Sequence, residues 1–396
     1  MKIVGLIAEY NPFHNGHQYH IEKAKEITGA DHIIVVMSGD FVQRGTPAIM
    51  PKHLRTEMTL KAGAALVVEM PVCYATGSAE YFAYGAVSLL DKLGCVDAIC
   101  FGSECGDIHK LEHLARIMVE EPKEYKTFLL SNLRNGSSYP LARQNALKEY
   151  LKSDTLDEII GEPNNILGIE YIKALYKLKS KMIPYTITRI SSNYHDTELQ
   201  QVYSSASAIR KEISKNAWRH LGNQIPENSI GLFEKHYQKR YPVVTNDFSL
   251  LLKYKLLNET KTSLLEYADV SEELANRIMN QLNQYIDFEQ FCNLLKTKEV
   301  TYTRISRALL HILLNIKKTD YEEISYAHIL GFRKDSTSVL TQIKETSSIP
   351  LISKLTNVDC PMLGQDIYAS NLYESVITDK FKTPFINEYE HSIVLI

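Results

Sequence analysis

Over the first 190 residues, short continuous apolar runs alternate with stretches of helical periodicity. "KIVGLIAE" (2–9), "DHIIVVMSG" (31–39), "ALVVEMP" (65–71) and "VDAICFGS" (96–103) lack polar alternation, so each reads as a strand buried on both faces. Between them, 16–28 closing at Gly29, 51–63, and 78–93 ending at Gly94 read as amphipathic helices. That alternation predicts the α/β class, a doubly wound parallel sheet with helices on both faces. Residues 107–160 read as mostly helical around a polar break, "LRNGSSYP" (133–140). A helix restarts over 162–178, and "IPYTITRI" (183–190) predicts a fifth strand. Beyond about 220 strand-like runs become few, and helical periodicity continues to about 350. The polar "RHLGNQIPENS" therefore divides the chain into a sheet domain, 1–220, and a mostly α-helical domain, 221–396.

A length of 396 residues fits two such domains. The formal net charge of −3 removes any global basic field, so contact with RNA would have to come from local patches. Six cysteines form no CxxC pair, and the spacing of Cys95, Cys100 and Cys105 matches no common zinc pattern. They read as reduced thiols of a cytoplasmic protein without a structural metal. No apolar run approaches the roughly 20 residues that span a bilayer, so no membrane partner is expected.

The candidate chemistry starts behind the first strand. "AEYNPFHNGHQYH" (8–20) lies at the carboxyl edge of the sheet, where open α/β folds bind ligands. Pro12 and Gly16 shape a tight approach, and the following helix presents unpaired N–H groups and a partial positive charge. His14 and His17 can point together into that space and donate to a phosphate as charge builds on its oxygens. Zinc on His14, His17 and His20 is the weaker reading, because no carboxylate or thiolate accompanies them. His20 by itself reads as structural. A second segment, "YSSASAIRKEI" (203–213), puts the Ser205 and Ser207 hydroxyls at a helix start ahead of Arg210, a cradle suited to pyrophosphate. Capping would explain one serine but leaves Arg210 without a role.

"HNGH" at 14–17 matches the HxGH signature of the nucleotidylyltransferase superfamily, and 203–213 resembles its serine-rich second element, with Ala206 in place of one serine. The strings "GLIAEYNPFHNGHQYHI" (5–21), "VMSGDFVQRGTPAI" (36–49), "FGSECGDI" (101–108), "PNNILGIEY" (163–171) and "RISSNYHD" (189–196) are together similar to one family, the bacterial tRNA(Met) cytidine acetate ligases. "LLKTKEVTYTRISRALLHILL" (294–314) and "IPLISKL" (349–355) extend the resemblance to nearly the full length.

The resemblance implies that ATP activates acetate as acetyl-adenylate with release of pyrophosphate. The acetyl group then passes to N4 of the wobble cytidine of elongator tRNA(Met). ATP is a substrate, and Mg2+ is expected to accompany its phosphates, though nothing in the sequence marks the ligands. The implied ATP site comprises Ile7, Ala8, Glu9, Tyr10, Asn11, Pro12, Phe13, His14, Asn15, Gly16, His17, Gln18, Tyr19 and His20, with Gly102, Asn164, Asn165, Arg189 and Ile190. His14, His17, Ser205, Ser207 and Arg210 would be catalytic. For Gly102 and Asn164 the plain alternatives are a strand-end turn and a helix cap. Asp40, Gln43 and Arg44 follow the second strand and would shape the acetate or cytidine pocket, with a solvent-facing charge the alternative for Arg44.

The tRNA would meet the second domain. Although 221–396 is not basic overall, its cations are bunched in "EKHYQKRY" (234–241), "TRISRALLHILLNIKK" (303–318) and "GFRKD" (331–335). Arg304, Arg307, Lys317 and Lys318 flank an apolar stripe of Ile305, Leu309, Ile312, Leu313 and Ile316, and Arg333 and Lys334 follow. Tyr237, Tyr241 and Tyr302 are near them, but a charge run on a helix is most often a solvated face. No protein partner is implied. Two rival functions remain, a small-metabolite adenylyltransferase and an RNA-binding scaffold that kept a nucleotide pocket.

Overall fold

The computed structural model describes residues 1–152, 157–189, 204–215, 221–356 and 359–396. Its strands are β1 (Ile3–Ala8), β2 (His32–Ser38), β3 (Phe41–Val42), β4 (Thr46–Pro47), β5 (Leu66–Met70), β6 (Ala98–Ser103), β7 (Ile183–Thr188), β8 (Ala327–Phe332), β9 (Leu351–Ile352) and β10 (Val394–Leu395). Among the described residues, eight of these form one sheet in the order β10-β8-β5-β2-β1-β6-β7, with β9 beside β8. β3 and β4 make a small antiparallel hairpin.

β5, β2, β1 and β6 run parallel, as their unbroken apolar sequences predict, and the more polar β7 joins them in parallel at the edge. Along β2, Ile34 and Val36 join one core while Ile33, Val35 and Met37 join the other. Helix Ala79–Lys92 covers the first face through Phe82, Ala83 and Ala86, and helix Asn15–Thr28 covers the second through Ile21 and Ala24. This is the doubly wound arrangement.

Most described residues beyond 220 are helical, as periodicity indicates. Periodicity did not reveal that three strands from this half complete the sheet. β8 pairs antiparallel to β5, in contrast to its neighbours. The run "AHILGF" is six residues long, too short for its pattern to separate strand from helix. Helices Tyr302–Leu314 and Pro361–Phe381 bury Leu309, Ile312, Tyr373 and Ile377 in the same core as Val36 and Val68. No helix among the described residues is long and apolar enough to cross a membrane.

The parallel strands deliver their carboxyl ends to one edge of the sheet. Loops starting at Glu9, Gly39, Glu104 and Arg189 therefore converge there.

Candidate active site

After β1 the chain turns sharply at Tyr10, which adopts a left-handed φ of 47°. The helix Asn15–Thr28 then begins with His14 as its N-cap. His14 Nδ1 accepts from the Gly16 N–H at 3.1 Å, and His17 Nδ1 accepts from the His14 N–H at 3.3 Å. Two imidazoles thus form the reciprocal cap usually made by serine and glutamate. Because each Nδ1 is an acceptor, the neutral rings carry their proton on Nε2. The rings stack with centroids 3.7 Å apart, and Tyr10 leans on His17 at 4.8 Å.

Burial, with Arg189 and Arg210 nearby, holds the His14 imidazole down to about 3. Burial and the His14 charge hold His17 well below its usual value, and burial and Arg189 bring His20 to about 4. At neutral pH these side chains are therefore uncharged hydrogen-bond donors rather than cations. The positive charge comes from elsewhere.

It comes from the second element. Helix Ala206–Ser214 starts at Ser205, whose hydroxyl accepts from the Ala208 N–H at 3.0 Å. Arg210, one turn along, donates to Ser207 Oγ at 3.1 Å and to the Asn11 carbonyl oxygen at 2.6 Å. Gln224 adds a second tie. Its side-chain oxygen accepts from Ser204 N–H and its carbonyl accepts from Asn15 N–H, both at 2.9 Å. Two helix N-termini are thereby fixed facing one cleft.

The cleft encloses about 260 Å³. Ile7, Ala8, Glu9, Tyr10, Asn11, His14, Gly16, His17, Tyr19 and His20 line it from the first loop. Ser205, Ser207 and Arg210 line it from the second, with Gly102, Asn164 and Arg189 between them. Gln43 and Arg44 come from the β3–β4 hairpin, held in place by the Glu9 carboxylate accepting from the Gln43 N–H at 3.0 Å. Among the described lining residues there are three guanidiniums, Arg44, Arg189 and Arg210, against the single carboxylate of Glu9. A chain that is acidic overall has built a locally cationic pocket with two helix N-termini, an arrangement suited to polyphosphate.

A family profile described as HIGH nucleotidyl transferase matches residues 1–387. The tRNA(Met) cytidine acetate ligase of Acetivibrio thermocellus is 45% identical over 392 residues, covering 94% of each chain. The enzyme of that name from Clostridium acetobutylicum is 43% identical, with both chains covered completely. Two crystal structures of Thermotoga maritima TmcAL superpose over the full length of both chains. The apo form is 30% identical with a TM-score of 0.93, and the form bound to alpha-thio ATP is 31% identical with a TM-score of 0.92.

The chain belongs to the tRNA(Met) cytidine acetate ligases of the HIGH nucleotidyl transferase family.

Membership in the cytidine acetate ligases makes the chain an enzyme of the ligase class. The remaining residues singled out in the sequence sort by position. Pro12, Phe13, Asn15 and Gln18 belong to the first loop and helix but do not line the cleft. Phe13 is core, and Asn15 is bound to Asn223 and Gln224. Asn164 faces the cleft, whereas Asn165 is fully buried and accepts from the Cys105 N–H. The Glu104 carboxylate accepts from both of their backbone N–H groups and so caps helix Pro163–Leu178 from outside it. Gly102 is open to the cleft, but a Cβ there would first meet Arg189 Cγ at 3.2 Å. Its bareness therefore accommodates Arg189 as much as any ligand. Ile190 lies outside the described residues.

Asp40 is corrected most clearly. It is buried, and its Oδ1 accepts from the Lys52 N–H at 2.8 Å, replacing the cap that Pro51 cannot give helix Lys52–Lys61. It does not line the cleft. The cations of the second half also divide. Helix Tyr302–Leu314 packs on the β3–β4 hairpin, with Ser306 Oγ donating to the Gly45 carbonyl at 2.8 Å. On that helix Arg307 is ion-paired to Asp269 at 2.9 Å and Arg304 is exposed, and neither lines the cleft. Lys317 pairs with Glu266 and covers the Tyr267 ring, while Lys318 donates to the Leu265 carbonyl. Arg333 and Lys334 follow β8, which is antiparallel to its neighbour, so they stand at the opposite edge of the sheet from the cleft.

Two groups of residues were missed in the sequence. Phe82, Phe101, Leu167, Tyr171 and Ile187 make the apolar wall, and they read as core because their periodicity is that of core positions. Arg55 is completely buried, donating to the carbonyls of Met50 at 3.0 Å, Glu9 at 2.7 Å and Ser38 at 3.0 Å, and also to that of Gly39. It pins the loops after β1 and β2 together beneath the cleft.

Proposed function

We propose that the cleft activates acetate with ATP and that the acetyl group is then delivered to N4 of the wobble cytidine of elongator tRNA(Met). In the first step an acetate oxygen attacks the α-phosphorus, the bond to the β-phosphate oxygen breaks, and pyrophosphate leaves. In the second the cytidine amine attacks the acetyl carbonyl, AMP departs, and the amine loses a proton.

The observation that carries this reading is the pairing of two helix N-termini across one cleft through Arg210 and Asn11. His14 and His17, as neutral Nε2–H donors beside the first terminus, would meet the α-phosphate without a proton having to leave the protein. Ser205, Ser207 and Arg210 would hold the departing pyrophosphate. Arg189 and the apolar wall of Phe101, Tyr171 and Ile187 would frame the nucleoside. Glu9 is the lone carboxylate among the described lining residues, so Mg2+ would arrive on the polyphosphate rather than wait in a protein cage.

Acetate needs one cation or N–H donor and a small apolar space, which Arg44 and Gln43 at the hairpin tip would provide. Arg304 and Arg307, on the helix behind that hairpin, would reach the tRNA backbone. Arg333 and Lys334, at the far edge, are dropped from that role. The acetate reading is preferred to a small-metabolite adenylyltransferase because likeness to the named ligases runs through the whole second half.

The half-reaction can be tested without tRNA. Labelled pyrophosphate should enter ATP only when acetate is present. Exchange that ignores acetate but responds to another metabolite would favour the adenylyltransferase.

A further inference from the structure

At the carboxyl ends of β2 and β5, away from the cleft, lies a buried polar cluster that this chemistry does not use. Lys52 Nζ sits 2.8 Å from Glu69, from Glu388 and from Ser370 Oγ. His328 Nδ1 is 2.7 Å from Glu69 Oε2, an oxygen that Lys52 also meets at 2.8 Å. On the outer side of Glu388, His53 Nε2 approaches Oε2 at 3.4 Å, and the His391 ring stacks on His53 with centroids 4.1 Å apart. A cavity of about 270 Å³ opens onto His53, Glu388 and His391.

Several features are left unsatisfied by protein contacts. The His53–Glu388 separation exceeds a good hydrogen bond. His53 Nδ1 is buried and has no hydrogen-bond partner among the described residues. Around Lys52, the Glu69 and Glu388 carboxylates face one ammonium, with Asp40 and Arg55 the next charges and His328 paired to Glu69. One donor atom from each of His53, Glu388 and His391 lies within 4.8 Å of the others. A tetrahedral ion with bonds of about 2.0–2.1 Å needs its donors roughly 3.3 Å apart, so the three side chains would have to draw together on the ion.

We propose that His53, Glu388 and His391 form a site for a divalent cation of the zinc class, with the cavity providing the remaining ligand. Two imidazoles and one carboxylate select zinc-like ions over Mg2+ and Ca2+, which prefer oxygen. Glu69, Lys52 and His328 would orient the Glu388 carboxylate from behind. The bound ion would staple segment 388–391 to the start of helix Lys52–Lys61, just ahead of β10, which pairs with β8 as the edge strand of the sheet. This departs from the expectation, read from cysteine spacing, that the chain holds no structural metal.

The test titrates the full, tag-free chain, stripped with chelator, with ZnCl2 alone in calorimetry, and follows hydrogen exchange of residues 388–396. One equivalent should bind, MgCl2 should not compete, and exchange of the tail should slow on addition of zinc. His391→Ala and His53→Ala should each weaken binding at least tenfold, while the zinc-free variants keep the parent's thermal midpoint and its acetate-dependent pyrophosphate exchange. Absence of stoichiometric zinc binding by the folded parent would overturn the proposal, as would binding that both variants retain. If a variant loses its zinc-free midpoint, zinc-induced protection of the tail in the parent decides, and no protection counts against the site.

Discussion

Arg210 donates to the carbonyl oxygen of Asn11 at 2.6 Å, across 199 residues of sequence. This bond fixes the distance between the histidine-capped helix and the serine-capped helix. A ligand with negative charge on several adjacent groups is then met from both sides without further rearrangement. Removing the guanidinium deletes this spacer and, on the proposed mechanism, a phosphate donor. Arg210→Ala should lower acetate-dependent pyrophosphate exchange by about 10²- to 10³-fold, the usual cost of losing a preorganised donor to developing charge. Arg210→Lys should recover little, since a single ammonium cannot span Ser207 and Asn11 at once. Exchange within threefold of the parent in the alanine variant would remove Arg210 from the mechanism.

Arg55 does comparable work one layer deeper. Its guanidinium meets four carbonyls contributed by the ends of β1, β2 and the approach to helix Lys52–Lys61. Arg55→Met should strand those carbonyls at about 1–3 kcal/mol for each that water cannot reach. The expected result is a large fall in thermal midpoint together with a higher KM for ATP. A variant with normal stability and normal KM would show that the loops hold themselves.

The three histidines of the first loop give a signed pH dependence. Burial lowers His14 to about 3 and His20 to about 4, against about 6.5 in an unfolded chain. Between those values the unfolded state binds more protons, so stability is complete above pH 6.5 and falls as pH drops toward 4. The thermal midpoint of the ligand-free protein should decline between pH 7 and pH 5. His20→Asn should make that decline shallower. Parallel curves for the two proteins would contradict the assignment.

Two glycines near the cleft should respond differently. Gly45 has φ +74°, and a Cβ there would lie 2.3 Å from the Arg307 nitrogen, a backbone atom that cannot step aside. Gly45→Ala should loosen the hairpin from helix Tyr302–Leu314, cost about 1–3 kcal/mol and raise the KM for acetate. Gly102→Ala meets only the Arg189 methylenes at 3.2 Å, so it should leave stability nearly unchanged and shift the KM for ATP a few-fold. Equal effects on stability, measured by chemical denaturation, would sink the distinction.

The cleft was legible where chemistry demands particular residues at short, fixed spacing. "HNGH" and "SASAIR" each form a helix start, and the structure brings both to one cleft. Asp40 and Asn165 were misplaced because a carboxylate or amide that caps a neighbouring segment looks in sequence like one awaiting a ligand. Arg55 was invisible for the opposite reason, since its partners are carbonyls, which every residue owns. The strand β8 was hidden by its brevity, and its antiparallel direction is what carries Arg333 and Lys334 to the far edge. His53 and His391 are 338 positions apart, and only the folded sheet edge brings them together.

The most direct test of the proposed reaction combines everything the cleft is said to handle. Purified protein, ATP, Mg2+, acetate and unmodified elongator tRNA(Met) would be incubated, and the digested nucleosides analysed by mass spectrometry. N4-acetylcytidine should appear at the wobble position, require both ATP and acetate, and disappear with Arg210→Ala. ATP bound tightly with no acetylated nucleoside formed would contradict the proposal.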